Sequence, residues 1–483
     1  MTALHWVFLT LATAADVWAA CHALLTQRDP RAAWGWIAAT LLLPGLGPVF
    51  YFLFGINRIE ARGRKLRRRS PFDLQAPDGR LRPACPISRL PDDLDDLAAL
   101  TYSITGRSLT GGNALEFLEN GEEAYPRMLG AIERAKERVY LSTYIFEANA
   151  AGRRFINALE AAARRGVDVR VLVDGVGEWT QLPLAGTLLK RRNVPLARFL
   201  PPRLLPPSMH INLRCHRKIL AVDGEIGFTG GMNIGDRYLA GRKWLKTRVT
   251  DTHFLLRGPV VAEMEEIFLW DWGFATGADT TPPEHEDILP AGSTVCSCVL
   301  DGPNDPGNRL VEVYCAAIAS ARRHIRIMTP YFLPPREIVA ALQLAVKRGV
   351  EVAIILPERN DTAVVHWAAR HILPHILNLG VRVAYQPPPF AHTKHMIIDE
   401  SYAVVGSANL DPRSLRLNFE MVLELFAPEL AQKLIAHFEK IRHVSRELTH
   451  ADLADRSLPA RLRDAFCWLF SPYLYSRPSS ASS

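Results

Sequence analysis

Apolar positions are concentrated at the start of the chain. Ala3 to Leu25 and Ala32 to Phe54 are two mostly apolar runs, separated by the polar turn Gln27-Arg28-Asp29-Pro30-Arg31. Each is long enough to cross a bilayer core, which takes about 20 helical residues. The pattern predicts a transmembrane helical hairpin. Asp16 interrupts the first run and costs about 2.5–3.5 kcal/mol on insertion scales unless it finds a partner. Pro44-Gly45-Leu46-Gly47-Pro48 breaks the second run, which admits a kink or a re-entrant segment. Trp34 and Trp36 near one end, and Phe50 to Phe54 near the other, suit interfacial belts. No basic n-region precedes the first run, which argues against a cleaved signal peptide.

After the apolar runs the pattern changes twice. Arg58, Arg62, Arg64, Lys65, Arg67, Arg68 and Arg69 face Glu60 alone, and the positive-inside rule puts this end in the cytoplasm. Such a cluster also suits anionic headgroups. Residues 70 to about 95 are polar and carry five prolines, the composition of a linker.

Beyond the linker, helical and strand periodicities alternate, and they do so twice. Ala131 to Lys136 leads into the apolar strand Val139 to Phe146, and Ala317 to Arg322 into Ile325 to Phe332. A second helix then closes on Arg164-Arg165-Gly166 before the strand Val167 to Val173, and on Lys347-Arg348-Gly349 before Val350 to Leu356. Repeated helix–strand units predict a duplicated α/β sandwich, with helices covering a mainly parallel sheet. The expected divisions are membrane segments within 1–56, a basic linker at 57–95, a first repeat at 96–290 and a second at 291–483. Leu462 to Leu474, with Phe466, Trp468 and Phe470, is a candidate interfacial helix or a helix packed on the second repeat.

The repeat carries its chemistry at matched offsets. His216, Lys218, Asp223, Gly230 and Asn233 recur as His392, Lys394, Asp399, Gly406 and Asn409. His and Lys two apart on a strand share a face. Each Asp precedes a short turn, so it serves as a turn residue or takes a direct chemical part. The glycines let backbone approach a ligand, the neighbouring amides at Gly231 and Ser407 suit phosphate oxygens, and Asn233 and Asn409 offer further donors. Two imidazoles and two lysines at one point suit a phosphodiester. One imidazole attacks phosphorus, the other manages the leaving and entering protons, and the lysines offset charge.

Composition narrows the partners. A net charge of +7 and pI near 9.1 point to nucleic acid or an acidic membrane surface. No basic stripe with interleaved aromatics accompanies the motifs, and two membrane runs do not suit a nuclease. Seven cysteines without a CxxC pair argue against a disulfide framework or a zinc site.

At these residues the sequence resembles the phospholipase D superfamily, with its H-x-K-x4-D and following G-[GS]-x-N. More narrowly it is similar to the bacterial cardiolipin synthases. Asn212-Leu213-Arg214-Cys215-His216-Arg217-Lys218 is close to N-x-R-x-H-R-K. Asn409-Leu410-Asp411-Pro412-Arg413-Ser414 and Asn418-Phe419-Glu420 match N-[LM]-D-x-R-S and N-F-E. Pro44 to Tyr51 and Gly55 fit that group's N-terminal pattern. Gly231 departs from the commoner Ser, losing a hydroxyl.

The resemblance implies two tandem phospholipase D-like α/β sandwich domains with pseudo-twofold symmetry, behind a membrane hairpin. It implies a multi-pass protein of the inner membrane with a cytoplasmic catalytic domain. The implied reaction joins two phosphatidylglycerol molecules into cardiolipin and glycerol through a phosphatidyl-histidine, without metal or nucleotide cofactor. His216, Lys218, Asp223, His392, Lys394 and Asp399 are the implied catalytic set, with His216 the nucleophile. Gly231, Asn233, Ser407, Asn409, Glu420 and Asp251 are the implied binding set, and Glu420 and Asp251 stand where acids hydrogen-bond a motif His. Anionic membrane lipids, and not nucleic acid, are the implied partners. Hydrolysis by the same residues, as in a phospholipase D, is the alternative, and a nuclease the more distant one. Phe199 to Pro207, just before the first motif, resembles a lipid-docking loop.

Overall fold

The computed structural model describes residues 3–27, 30–55, 90, 94–202, 213–242, 244–245, 247–278, 280–283, 288–302 and 308–469. The basic run at 58–69, the proline-rich linker, Asn212, most of the Phe199 to Pro207 loop and everything after Leu469 lie outside the described residues. The chain divides into two units, Met1–Leu66 and Arg67–Ser483.

In the first unit, the helix Ala3–Thr26 contains Leu9–Thr26, the one described stretch long and apolar enough to cross a membrane. The second apolar run does not form a matching span. Its helix Pro30–Leu42 has 13 residues, about 20 Å long against a hydrocarbon core of about 30 Å. Gly45, at φ 78°, turns the chain, and Leu46–Phe50 with the π-helical turn Tyr51–Gly55 runs back. Three contacts fix its direction. The Gly45 N–H donates to Asp16 Oδ1 at 3.1 Å, the Tyr51 hydroxyl lies 2.7 Å from His22 Nδ1, and Gln27 Nε2 donates to the Gly55 carbonyl at 2.7 Å. The returning segment thus advances alongside Ala3–Thr26 and antiparallel to Pro30–Leu42, with Gly47 pressed on the backbone of Ala39 and Thr40. The expected two-span hairpin is therefore one long helix plus a short helical hairpin that turns beside Asp16. The cause is local. The Pro-Gly-Leu-Gly-Pro break permits the reversal, and Asp16 accepts an N–H that the break leaves without a helical partner.

The second unit is built around one sheet. Its first half supplies β1 (Thr110–Glu119), β2 (Arg138–Thr143), β3 (Asp168–Asp174), β4 (Leu196–Phe199), β5 (Ile219–Val222), β6 (Ile226–Gly230), β7 (Val249–Thr250) and β8 (Thr252–Arg257). The second half supplies β9 (Thr294–Asp301), β10 (His324–Met328), β11 (Glu351–Pro357), β12 (Arg382–Gln386), β13 (Phe390–Ala391), β14 (His395–Ile398), β15 (Tyr402–Gly406), β16 (Glu420–Phe426) and β17 (Arg446–Glu447). Fifteen of these lie in the order β4-β3-β2-β5-β6-β8-β1-β9-β16-β15-β14-β10-β11-β12-β17. Reading outward from β1 and β9 gives the same sequence of seven equivalent strands on both sides, with β17 added at the second half's edge, and marks the pseudo-twofold axis of the duplication. β1 and β9 pair antiparallel across it.

The sheet is mixed, where the sequence predicts it mainly parallel. β2–β3–β4 and β10–β11–β12 are parallel, and the strands from β5 to β1 and from β14 to β9 are antiparallel. The difference follows from connection length. β2 reaches β3 through the helix Ala150–Arg164, whereas three residues join β5 to β6, and so short a link can only reverse the strand. Each half has its own apolar core, one around Phe155, Val171 and Phe228, the other around Ile325, Ile354 and Tyr402. The helix Val260–Thr276 covers β2, β4 and β5 and also touches β9; Pro428–Val444 does the converse, touching β1. Each half therefore lends its last long helix to the seam.

Both β-turns after the motifs are clamped by their Asp. Asp223 (φ 55°) accepts the backbone N–H groups of Lys136, Glu137 and Arg138, each at 2.9 Å. Asp399 (φ 49°) accepts those of Arg322, Arg323 and His324 at 2.8–2.9 Å. Each carboxylate ties its hairpin to the turn entering β2 or β10. Asp223→Ala and Asp399→Ala are each expected to lower stability by about 2–3 kcal/mol, with little change in rate per folded molecule. Melting curves in detergent, paired with activity at a permissive temperature, check this; an inactive variant of undiminished stability would give the aspartates a direct role instead.

Candidate active site

The two motifs meet through backbone pairing across the seam. Cys215 bridges to Phe419, the His216 N–H donates to the Phe419 carbonyl at 2.9 Å, and the Phe419 N–H returns a bond to Arg214. On the other side β13 pairs with β7, and the His392 N–H donates to the Thr250 carbonyl at 2.8 Å. Each motif His is thus hydrogen-bonded to a strand of the opposite half. The next residue along that strand is an acid. Glu420 Oε2 lies 3.0 Å from His216 Nδ1, and Asp251 Oδ2 lies 2.7 Å from His392 Nδ1. The acid beside each imidazole therefore comes from the other repeat. A carboxylate at Nδ1 holds the proton there and leaves Nε2 with its lone pair.

His216 and Lys218 share a face, as do His392 and Lys394. Lys218 Nζ donates to the His216 carbonyl at 2.6 Å, and Lys394 Nζ donates to that of His392. Lys394 Nζ also lies 2.9 Å from His392 Nδ1; since ammonium only donates, the proton on Nδ1 belongs to the bond with Asp251. Arg217 points the opposite way and pairs with Asp271 at 2.7 Å. His395 likewise faces away, its Nε2 2.8 Å from Thr252 Oγ1, as its position in the strand predicts.

Electrostatics tie the four groups together. Burial pushes both His216 and His392 down to about 4, with the lysines adding to the effect and the acids opposing it. Burial likewise lowers Lys218 to about 7 and Lys394 to about 8. Lys394 lowers both His216 and Lys218, so the two halves share one field. Burial would raise Asp251 and Glu420, but the facing lysine and histidine charges hold both below their ordinary values.

Residues of the expected binding set build this frame. Asp251 and Glu420 stand behind the imidazoles, each hydrogen-bonded to a motif His as the resemblance implies. The Gly231 and Ser407 N–H groups are engaged by the carbonyls of Thr252 (3.1 Å) and Met421 (3.0 Å). A Cβ at Gly231 would lie 2.2 Å from Asp251 Oδ1, so the acid occupies the space a serine would need. Ser407 spends its hydroxyl on Glu420. Asn233 receives the Ile145 N–H at 3.1 Å and donates to the Tyr238 hydroxyl at 2.8 Å. Asn409 donates to Ser414 at 3.1 Å and keeps a buried Oδ1 without a hydrogen-bond partner among the described residues. Gly230 and Gly406 let the neighbouring strand approach, since a Cβ there would meet the Thr252 or Met421 carbonyl at 2.7 or 2.5 Å. Asp223 and Asp399 sit five residues beyond the lysines, about 16 Å along the strand.

Two residues of the wall carry no obvious mark in the sequence. The Tyr144 ring packs 5.1 Å from that of His216, and the Tyr331 ring 6.4 Å from that of His392. Both follow the ends of equivalent strands, β2 and β10, which is the one signal that singles them out. Together these groups suit in-line transfer at a single anionic phosphodiester.

Known proteins with this sequence pattern and fold are consistent in kind. The family described as "Cardiolipin synthase, PLD-like domain" matches residues 128–272 and 314–442, and "Phospholipase_D-nuclease N-terminal" matches 14–55. A cardiolipin synthase of Geobacillus kaustophilus is 32% identical over 476 residues, covering 97% of this chain and 94% of the relative. Major cardiolipin synthase ClsA of Bacillus subtilis is 31% identical, covering 93% and 95%. Cardiolipin synthase A of Pseudomonas putida is 34% identical, covering 94% and 95%. The crystal structure of a phosphatidylserine synthase from Haemophilus influenzae shares the fold, with a TM-score of 0.58 at 17% identity over 74% of this chain and 95% of that one.

The lowered lysines give a signed pH expectation. Below about 7 both are charged and offset the diester's negative charge; as pH rises through 7 to 8 they discharge. Below about 4 the imidazoles protonate and lose the attacking lone pair. For the free enzyme, kcat/KM is expected to be lost below about pH 4 and to fall most steeply as pH rises through 7 to 8. Lys218→Arg, charged throughout, should move the alkaline fall upward; a profile flat from pH 6 to 9.5 would exclude the lysines from this role.

Proposed function

The chain belongs to the phospholipase D-like cardiolipin synthase family, and from that premise we propose that His216 and His392 pass a phosphatidyl group between two phosphatidylglycerol molecules. The chain is a phosphatidyltransferase of the phospholipase D type, acting on membrane phospholipid. The observation that carries the residue assignment is the reciprocal pairing of each motif imidazole with an acid of the other half.

In the first step His216 Nε2 attacks the phosphorus of one phosphatidylglycerol, and the P–O bond to its terminal glycerol breaks. His392, which takes up a proton at Nε2 as the anionic diester enters, gives that proton to the departing oxygen. Glycerol leaves and a P–N bond holds the phosphatidyl group. His392, now neutral, takes the proton from the glycerol hydroxyl of a second phosphatidylglycerol. That oxygen attacks phosphorus, the P–N bond breaks, and cardiolipin forms. Lys218 and Lys394 offset charge on the non-bridging oxygens. His216 is taken as the nucleophile on the family resemblance; burial pushes both imidazoles down to about 4 alike. Asp223 and Asp399 enter only as clamps. Both motif lysines are buried, which suits one diester headgroup and not the exposed basic track that nucleic acid needs.

The membrane unit supports a related proposal. If Ala3–Thr26 crosses the bilayer and Pro30–Gly55 enters and returns, the chain crosses once. Arg28, Arg31 and the basic run from Arg58 then share the cytoplasmic side with the catalytic unit, as the positive-inside rule asks. Two full spans would put Arg28 and Arg31 outside.

Purified enzyme given phosphatidylglycerol, with products followed by mass, should yield cardiolipin and glycerol in equal amounts. Phosphatidic acid alone would move the assignment to hydrolysis. His216→Ala and His392→Ala should each lower turnover by about 10³-fold or more; near-normal activity in either would refute the shared site. For topology, an impermeant maleimide on spheroplasts should label Thr2→Cys and spare Arg28→Cys, and the opposite labelling would restore two spans.

A further inference from the structure

The C-terminal helix Leu458–Leu469 is built inside out. Leu458, Leu462, Phe466 and Leu469 recur at helical spacing and are each 61–65% exposed. On the opposite face the buried Asp464, 1% exposed, pairs with Arg456 just before the helix and with the half-exposed Arg463 at 2.8 Å. Arg463 also stacks 4.2 Å from the Trp367 ring. A helix facing water normally does the reverse. The reversed polarity makes sense if the medium beyond the stripe is apolar. What borders the stripe identifies that medium. Arg461 and Trp468 lie along one flank at helical spacing, both exposed, and a cation and an indole beside an apolar stripe are the residues that settle at a headgroup boundary. The chain's excess of positive charge complements anionic headgroups.

The helix is also tied to the site. Cys467, on its inner face, packs with Leu333, Val365 and Ala368, with Tyr331 against the same cluster. Tyr331 in turn packs on His392. We propose that the Leu458–Leu469 face seats in the interfacial layer of an anionic bilayer, setting the cleft beside His392 at the depth of the lipid headgroups. The proposal concerns where the catalytic unit sits and holds whichever lipid reaction follows.

Two measurements on the full-length protein test it. In liposomes of phosphatidylcholine with phosphatidylglycerol, p-benzoylphenylalanine placed at position 462 should photo-cross-link to phospholipid, seen as a mass shift. Adducts to a second copy of the chain instead, or no lipid adduct, would overturn the proposal. Leu462→Asp and Phe466→Asp should lower kcat/KM on bilayer phosphatidylglycerol by about tenfold and leave turnover of monomeric dihexanoyl phosphatidylglycerol unchanged. Equal losses on both substrates, or none on either, would count against it. Absence of cardiolipin synthesis altogether would refute the reaction assigned above without touching the lipid adduct.

Discussion

The bond on which the rest of the catalytic unit depends is the hydrogen bond from each motif imidazole to a carboxylate of the other half. It fixes which ring nitrogen carries the proton, and so which one faces the cleft with a lone pair. It also makes neither half sufficient. His216 without Glu420, or His392 without Asp251, would keep its place on the strand but lose its tautomer. The backbone bonds from His216 to Phe419 and from His392 to Thr250 place the acids in register, and the β1–β9 pair and the two seam helices hold that register. Contact between the two halves is thus a requirement of the proposed chemistry.

The two halves reach the same imidazole–carboxylate contact with different parts. In the second, the longer Glu420 is steadied by the Ser407 hydroxyl and by Asn418. In the first, the shorter Asp251 is steadied by the Thr252 N–H at 2.8 Å, and it occupies the space beside Gly231. Gly231 and Asp251 therefore belong together, as Ser407 and Glu420 do. The missing serine in the first motif is an accommodation to the acid it faces, and swapping one member alone would either collide or leave a carboxylate without its donor.

Much of this was legible in the sequence, because a strand's alternation makes His-x-Lys a one-sided pair and because the offsets recur. The duplicated helix–strand order and the convergent histidines and lysines both follow from local pattern. The motif spacing does not distinguish residues that touch substrate from residues that support those that do. Asp223, Asp399, Gly230, Gly406 and Asn233 recur because hairpins, strand contacts and loop ties recur. Pairing across the seam is long-range, so the residues around Glu420 mark it, by resemblance, as a partner of a motif His without telling which one. The mixed sheet was recoverable from the length of the β5–β6 link. In the membrane unit, hydropathy measured the length of Ala32 to Phe54 but not its reversal, which depends on Asp16 meeting Gly45 across 29 residues.

Burial sets two requirements of the site with one cause. It keeps both imidazoles neutral, as attack on phosphorus needs, and it brings Lys218 and Lys394 to about 7 and 8. Lysines at those values are ready to take up a proton when a negative charge arrives, so entry of an anionic diester is coupled to charging of its own binding groups. The same arrival raises the proton affinity of His392, the group proposed to carry a proton to the leaving oxygen. A more open cleft would hydrate all four groups, returning the lysines to permanent charge and the imidazoles toward partial protonation before substrate was present. Enclosure by Tyr144, Tyr331 and the paired strands is therefore part of the acid–base design, and the apolar tails of a lipid substrate would complete the seal that the protein walls begin.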